Sequence, residues 1–125
     1  RCLAMLLVCC SAHVAAQQTD AAVTCVPVAA QRLVYDCEIR LSRAGAPLAG
    51  AVLTVGADMP SMPMAHNVRP VRAVAADAPG AYRARLQLEM AGTWRLKLRV
   101  SGATSDEWIY VRHQVEDSRV PRHRP

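Results

Sequence analysis

The sequence predicts an all-β protein, an antiparallel β-sandwich of about seven strands. Short runs in which apolar and polar residues alternate recur along the chain, and clusters of Gly, Pro and Asp separate them. No run shows the period of a helix. Aromatic residues make up only 4% of the 125, with no Phe, so Val, Leu, Ala and Ile must supply most of the core. This length accommodates one domain.

Residues 1–16 are interpreted as an export signal. An apolar run at 3–10 follows Arg1, and small residues precede the expected cleavage point after about Ala16. The run is too short to span a bilayer. The residues before Cys9 and Cys10 suit lipoprotein processing poorly, so lipid anchoring is the less favoured alternative. We therefore predict a periplasmic protein with a folded domain at 21–116, a polar tail at 117–125 and no transmembrane span in the mature chain.

The first two strands are predicted at 23–29 and 33–41. If they form a hairpin with its turn midway between them, Cys25 lies directly opposite Cys37, and Cys37 falls on the inward face. A cross-strand disulfide is the expected outcome in an exported protein, and a dithiol metal site is the alternative. Pro27 cannot donate to a ladder, which predicts that the first strand lies at a sheet edge.

Five more strands follow, and turns separate them. The strand predicted at 68–75 is weaker than the others because Pro70 interrupts it. With these elements in place, the sandwich is predicted to be of immunoglobulin-like type. The remaining four strands are predicted at 51–56, 82–88, 93–100 and 108–115, with Tyr82, Ala84, Leu86, Leu88, Trp94, Leu96, Leu98 and Val100 facing inward.

The outward positions of the strands at 82–88 and 93–100 are rich in basic residues. Two interpretations stay open: an ordinary solvated sheet face, or a docking surface for an acidic partner or an anionic membrane. The candidate partner surface consists of Arg83, Arg85, Arg95, Lys97 and Arg99.

The segment at 58–67 carries three methionines and a histidine within eight residues. Thioether sulfur and imidazole nitrogen form a soft donor set that suits copper(I) better than zinc, calcium or magnesium. If the two intervening prolines hold the backbone extended, Met62, Met64 and His66 share one face, and Met59 is an assisting ligand out of that register. The sequence therefore predicts a copper(I) site at Met59, Met62, Met64 and His66.

The competing interpretation of this segment is that its methionines fill the open end of the sandwich and His66 is solvated. Met90 and Trp94 lie on a neighbouring turn and strand, and they are candidate covers for a bound ion. Neither residue can be placed from spacing alone.

Catalytic and nucleic-acid functions find little support. No Gly-rich phosphate loop, His-Glu-x-x-His pair, Cys-x-x-Cys or Gly-x-Ser-x-Gly motif occurs. The net charge of +5 would suit nucleic acid in a cytosolic protein, but an exported protein rarely meets any. We expect a non-enzymatic protein that delivers or sequesters copper(I). The alternative is a metal-free interaction module that docks to an efflux or oxidase-assembly component.

Three segments of the chain resemble the YtkA-like domains and the related FixH-like periplasmic segments. They are Met-Pro-Ser-Met-Pro-Met-Ala-His at 59–66, Gly-Ala-Pro-Leu-Ala-Gly-Ala-Val-Leu-Thr-Val at 45–55, and the run at 78–98 that contains Tyr-Arg-Ala-Arg-Leu-Gln-Leu and Thr-Trp-Arg-Leu-Lys-Leu. The resemblance spans about residues 34–113. It implies a small exported β-sandwich linked to copper or heavy-metal handling, or to assembly of haem-copper oxidases.

Overall fold

A computed structural model describes residues 18–102 and 105–116, and these residues form nine strands. The predicted leader at 1–16 and the whole predicted tail at 117–125 lie outside the described residues. Seven strands are six residues or longer and correspond to the seven that the sequence predicts; two more contain two residues each. The strands are β1 (Thr19–Pro27), β2 (Val34–Arg43), β3 (Ala46–Pro47), β4 (Leu53–Asp58), β5 (Asn67–Arg72), β6 (Val74–Ala75), β7 (Ala81–Gln87), β8 (Gly92–Val100) and β9 (Glu107–Val115).

The strands form two antiparallel sheets, which confirms the predicted sandwich. The five-stranded sheet has the order β1-β2-β7-β6, with β3 paired to β2, and the four-stranded sheet has the order β5-β4-β8-β9. Successive hairpins alternate between the sheets: β1-β2 and β6-β7 belong to the first, β4-β5 and β8-β9 to the second. The chain therefore crosses from one sheet to the other between β7 and β8.

The β1-β2 hairpin has the register that the cysteine spacing predicts. Cys25 pairs with Cys37 across the ladder, and their sulfur atoms form a disulfide of 2.03 Å. Cys37 is buried, and Cys25 is partly buried against the core. Pro27 is the last residue of β1, which is an edge strand, so its missing N–H interrupts no central ladder.

The core lies between the sheets and consists of the inward residues of β2, β4, β7 and β8. Each fully buried Leu or Ile contributes about 1.5–3 kcal/mol through the hydrophobic effect. A buried tyrosine joins the β3-β4 connection to this core: the Tyr82 hydroxyl donates to the Leu48 carbonyl at 2.7 Å and accepts from the Ala51 amide at 2.9 Å. The inward faces predicted for the strands at 82–88 and 93–100 are confirmed. The described hydrophobic residues with no exposed surface are Ile39, Val55, Ala57, Trp94, Leu96 and Leu98.

The segment at 68–75 differs from its prediction, because Pro70 does not interrupt it. Pro70 lies inside β5, an edge strand, beside an irregularity in the β4-β5 register that spans Val55 to Ala57. The break comes at Ala73, whose amide donates to the Leu53 carbonyl at 2.9 Å. Beyond Ala73 the chain joins the other sheet as β6, so the predicted strand is two strands in two sheets.

The expectation of one shared basic face is wrong. Because β7 and β8 belong to different sheets, Arg83 and Arg85 lie on the outer face of the five-stranded sheet. Arg95, Lys97 and Arg99 lie on the outer face of the four-stranded sheet, on the opposite side of the sandwich. Strands consecutive in sequence are neighbours only if no crossover separates them, and period-two alternation does not reveal that crossover.

The described part of the chain contains no helix that is long and apolar enough to cross a membrane.

Candidate metal site

The methionine-rich segment forms the loop of the β4-β5 hairpin. The hairpin ladder ends with Asp58 opposite Asn67, and the Met59 amide then donates to the His66 carbonyl at 3.3 Å. An ion pair holds this end of the ladder: Arg95 donates two hydrogen bonds to the carboxylate of Asp58, at 2.9 and 2.7 Å. These bonds, together with the charge of Lys97, lower the pKa of Asp58. The strand ends that carry the loop are therefore joined to β8 by a hydrogen-bonded ion pair.

Inside the loop, the backbone makes two tight turns instead of the extended segment that the prolines predict. The Met62 amide donates to the Met59 carbonyl at 3.0 Å, and the Ala65 amide donates to the Met62 carbonyl at 3.2 Å. Pro60 and Pro63 each follow the first residue of a turn. The fixed φ of proline suits that second position as well as it suits an extended chain. The alternate-residue face predicted for the loop is therefore wrong.

The three loop methionines occupy different environments. Met64 is 96% exposed and Met62 is 38% exposed, so both residues are reachable from solvent. Met59 is 3% exposed and belongs to the hydrophobic core. Met59 therefore differs from Met62 and Met64: it fills the core, as the competing interpretation of this segment predicts.

His66 lies at the end of the loop, where its ring is held on two sides. Nδ1 of His66 lies 2.5 Å from Oε2 of Glu89, and the ring stands edge-on to Trp94 with 6.4 Å between centroids. Within the described residues, Nε2 of His66 forms no hydrogen bond, and the side chain is one-quarter exposed. If Nδ1 carries the proton, Nε2 presents its lone pair outward.

Trp94 lies in the core beneath His66 rather than over the loop, and Met90 lies beside Trp94. Trp94 is completely buried, and its indole N–H donates to the Met90 carbonyl at 2.9 Å. Met90 is partly buried and packs against the core. Trp94 therefore supports the His66 ring from the interior, and its own ring has no solvent-facing surface.

Glu89 belongs to this site, but its residue type and spacing do not predict that. It follows β7 at the point where the chain crosses to β8, and this crossover carries it to the hairpin loop. Its only signal in the sequence is a carboxylate between two apolar residues, Leu88 and Met90, beyond the end of an alternating run. That signal does not identify a partner 23 residues away.

The donor chemistry of the loop limits which ions it suits. No group of three or more His, Cys, Asp or Glu side chains within residues 18–102 and 105–116 is arranged to hold a metal ion. A metal bound at this loop would therefore need the thioethers of Met62 and Met64 beside the imidazole of His66. Such a set is soft, and it suits copper(I).

Fold and loop together define a small β-sandwich domain with a methionine- and histidine-bearing hairpin loop at one end. The chain belongs to the YtkA-like family, whose model matches residues 13–99. No curated protein and no solved structure matches the chain. The family assignment confirms the resemblance to YtkA-like domains, while the relation to FixH-like segments stays a prediction.

Proposed function

We propose that this protein is a non-enzymatic, periplasmic copper(I)-binding protein that delivers or sequesters the ion through Met62, Met64 and His66. The observation that carries the proposal is the contact between Nδ1 of His66 and the carboxylate of Glu89. Histidines that bind metals almost always donate their second ring N–H to a carboxylate, a carbonyl or water, which fixes the tautomer and orients the ring. Glu89 has the position and chemistry for that role.

The ligand types agree with copper(I) as the cargo. Thioethers are neutral and soft, and they bind copper(I) without losing a proton. Two of them beside one imidazole form a donor set with no carboxylate or carbonyl oxygen, which disfavours calcium and magnesium. Because the backbone of the tight turn brings the Met62 carbonyl to 3.3 Å from the His66 amide, these two residues are close before any ion binds.

The exposure of the donors suits transfer of the ion. Met64 is almost fully exposed, and an exposed ligand can be exchanged for one from a partner without unfolding the loop. A protein that stores copper permanently would be expected to cover its ligands. The arrangement therefore favours a carrier that exchanges copper(I) with other proteins.

Met59 and Met90 are assigned supporting roles in this proposal. Met59 packs in the core, and Met90 accepts the indole N–H of Trp94 through its carbonyl. Both are useful as matched controls, because each can be changed to Leu with little change in volume.

The test is titration of the purified protein with copper(I) under reducing conditions, in competition with a colorimetric chelator. We expect stoichiometric binding by the wild type, weaker binding by Met62→Leu, Met64→Leu and His66→Ala, and unchanged binding by Met59→Leu and Met90→Leu. Absence of stoichiometric binding by the wild type would end the proposal. Equal loss in the control variants would mean that binding reports the integrity of the fold instead of these ligands.

A further inference from the structure

The outer face of the four-stranded sheet brings cations and aromatic rings together in register. Across β8 and β9, Arg99 pairs with Trp108, Lys97 with Tyr110, and Arg95 with Arg112. These three pairs are consecutive rows of outward positions, because successive outward residues on a strand are two apart. We call this surface the basic–aromatic face and define it by Arg95, Lys97, Arg99, Trp108, Tyr110 and Arg112.

Cations cover the exposed aromatic rings of this face. The guanidinium of Arg99 lies 5.7 Å from the ring centroid of Trp108, and that of Arg95 lies 5.2 Å from the centroid of Tyr110. The two rings are nearly parallel, 10° apart, with centroids separated by 6.5 Å. Trp108 is 50% exposed and Tyr110 is 56% exposed, whereas the other three aromatic residues of the chain are buried. Exposed Trp and Tyr interleaved with Arg is the composition enriched at protein interfaces.

The charges of this face are only partly neutralised within the protein. Asp58 accepts from Arg95 and lies 3.4 Å from the Lys97 ammonium, and Asp106 accepts from Arg99. Arg112 forms no ion pair with any described residue. Two carboxylates therefore face four cations, and the excess positive charge lies at the end nearest the methionine loop.

The opposite outer face provides a contrast. There Arg85 donates two hydrogen bonds to Asp36, and Arg40 donates to Glu38. Neither exposed aromatic ring lies on that face. The combination of uncompensated charge with exposed rings is therefore specific to one side of the sandwich.

A concave surface joins the basic–aromatic face to the loop. A cleft of about 610 Å³ is lined by Arg95, Tyr110 and Arg112 on one side and by Pro60 and Ser61 of the loop on the other. A segment bound in this cleft would touch both the sheet and the backbone that carries Met62. The sheet face and the candidate metal site are thus parts of one continuous surface.

We propose that the basic–aromatic face binds an extended acidic segment of a partner protein. Arg95, Lys97 and Arg99 recur at every second residue, about 7 Å apart along the strand. Carboxylates at every second residue of an extended segment have the same spacing. Arginine stacked on a ring still presents N–H groups at its edge, where a carboxylate accepts them. The cleft also favours a polypeptide over an anionic membrane, because a polypeptide segment can enter a concave surface that a bilayer surface cannot follow.

The test uses the full protein carrying Met62→Leu and Met64→Leu, without metal, so that its result is independent of copper binding. The probes are a fluorescein-labelled peptide of five Glu-Ser repeats, the matching Lys-Ser peptide, and vesicles of phosphatidylglycerol. We expect saturable binding of the Glu-Ser peptide, none of the Lys-Ser peptide, and weakening with added salt.

The variant Arg112→Gln should weaken the Glu-Ser peptide about fivefold, since it removes one exposed charge contact. Arg83→Gln is the matched control, because it removes the same charge from the opposite face and should change the affinity little. Trp108→Ala should also weaken the peptide. Equal effects of Arg112→Gln and Arg83→Gln would overturn the proposal, because binding would then follow net charge alone. Binding of vesicles without binding of the peptide would overturn it as well.

Discussion

Oε2 of Glu89 lies 2.5 Å from Nδ1 of His66, although the two residues are 23 apart in sequence. His66 is in the β4-β5 loop, and Glu89 is in the crossover from β7 to β8. Changing Glu89 to Gln keeps the shape of the side chain but removes its charge. We expect this change to weaken copper(I) binding about tenfold, the lower end of the range for residues that orient a metal-binding histidine. Competition titration with a copper(I) chelator measures the change.

Glu38→Gln is the control for this prediction. It also removes a carboxylate, but from the outer face of the five-stranded sheet instead of from the candidate site. A second readout is the His66 tautomer, followed by nitrogen NMR in the metal-free protein. We expect the proton on Nδ1 in the wild type and a more mixed population in Glu89→Gln. Unchanged copper affinity in Glu89→Gln would show that the carboxylate does not serve the site.

Gly92 and Met59 are coupled through a close approach beneath the loop. Gly92 has a φ of +137°, and a Cβ at this position would lie 2.7 Å from Cε of Met59. Gly92→Ala should lower the free energy of unfolding by about 1–3 kcal/mol, mainly because of its strained backbone. Met59→Ala should cost about 2–5 kcal/mol as a cavity in the core.

Since Met59→Ala removes the methyl group that an added Cβ would meet, the double variant should be less destabilised than the sum of the two single changes. Denaturant unfolding of the four proteins gives this coupling, which we expect to exceed about 0.5 kcal/mol. Strict additivity would contradict the contact. Copper(I) binding by Met59→Ala, measured below its unfolding transition, should stay close to that of the wild type.

The disulfide between Cys25 and Cys37 closes a loop with a sequence separation of 12. Its removal should lower the free energy of unfolding by about 3 kcal/mol, because the unfolded chain gains freedom that the cross-link restricts. Denaturant unfolding of the wild type with and without a reductant measures this effect without changing a side chain. The variant Cys25→Ala, Cys37→Ala should be insensitive to the reductant. A reduced wild type as stable as the oxidised one would refute the prediction.

We expect the stability of the sandwich to depend on pH through His113. Burial lowers the pKa of His113, and its Nε2 atom is buried without a hydrogen-bond partner among the described residues. The unfolded chain therefore takes up a proton more readily than the folded protein does. Above about pH 6.5, the usual pKa of histidine, His113 is neutral in both states and the free energy of unfolding is at its full value. As the pH falls through that value toward the lower pKa of the folded state, the unfolded state is protonated first and the free energy of unfolding falls.

Unfolding free energies between pH 7.5 and 5.5 test this prediction, since few carboxylates titrate there. We expect the wild type to lose stability across this range and His113→Leu to lose less. His113 stands edge-on to Tyr35 at 5.6 Å, so Leu also preserves an apolar contact at that place. Parallel pH profiles for the two proteins would assign the dependence to other groups.

The sequence predicts the local features of this protein well. Alternation locates the seven longer strands, and the spacing of Cys25 and Cys37 determines the register of the first hairpin, because both depend on residues close in the chain. Features that depend on the crossover between sheets are not predictable in this way. Period-two alternation looks the same in either sheet, so Arg83 is wrongly grouped with Arg95.

In the candidate site too, local features are predictable from the sequence and features that depend on tertiary packing are not. The soft donors Met62, Met64 and His66 are recognisable from residue type alone, whereas the burial of Met59 and the approach of Glu89 are consequences of tertiary packing. The prolines of the loop mislead for a local reason, since a fixed φ is compatible both with an extended chain and with the second position of a turn.

The alternation of hairpins between the two sheets has a consequence for folding kinetics. Neither sheet can be completed by a contiguous stretch of chain: Val34 pairs with Gln87, and Leu53 pairs with Val100. Closing such long segments is entropically costly, so we expect refolding on a timescale of about milliseconds to seconds. Tryptophan fluorescence, to which the buried Trp94 contributes, measures it after dilution from denaturant. The methionine thioethers of the loop are present whether or not the chain is folded. The contact of His66 with Glu89 forms only when the connection between β7 and β8 packs against the β4-β5 loop. If the proposed function holds, copper(I) should therefore bind a nascent or unfolded chain more weakly than the folded protein, and binding would begin only once the sandwich is complete.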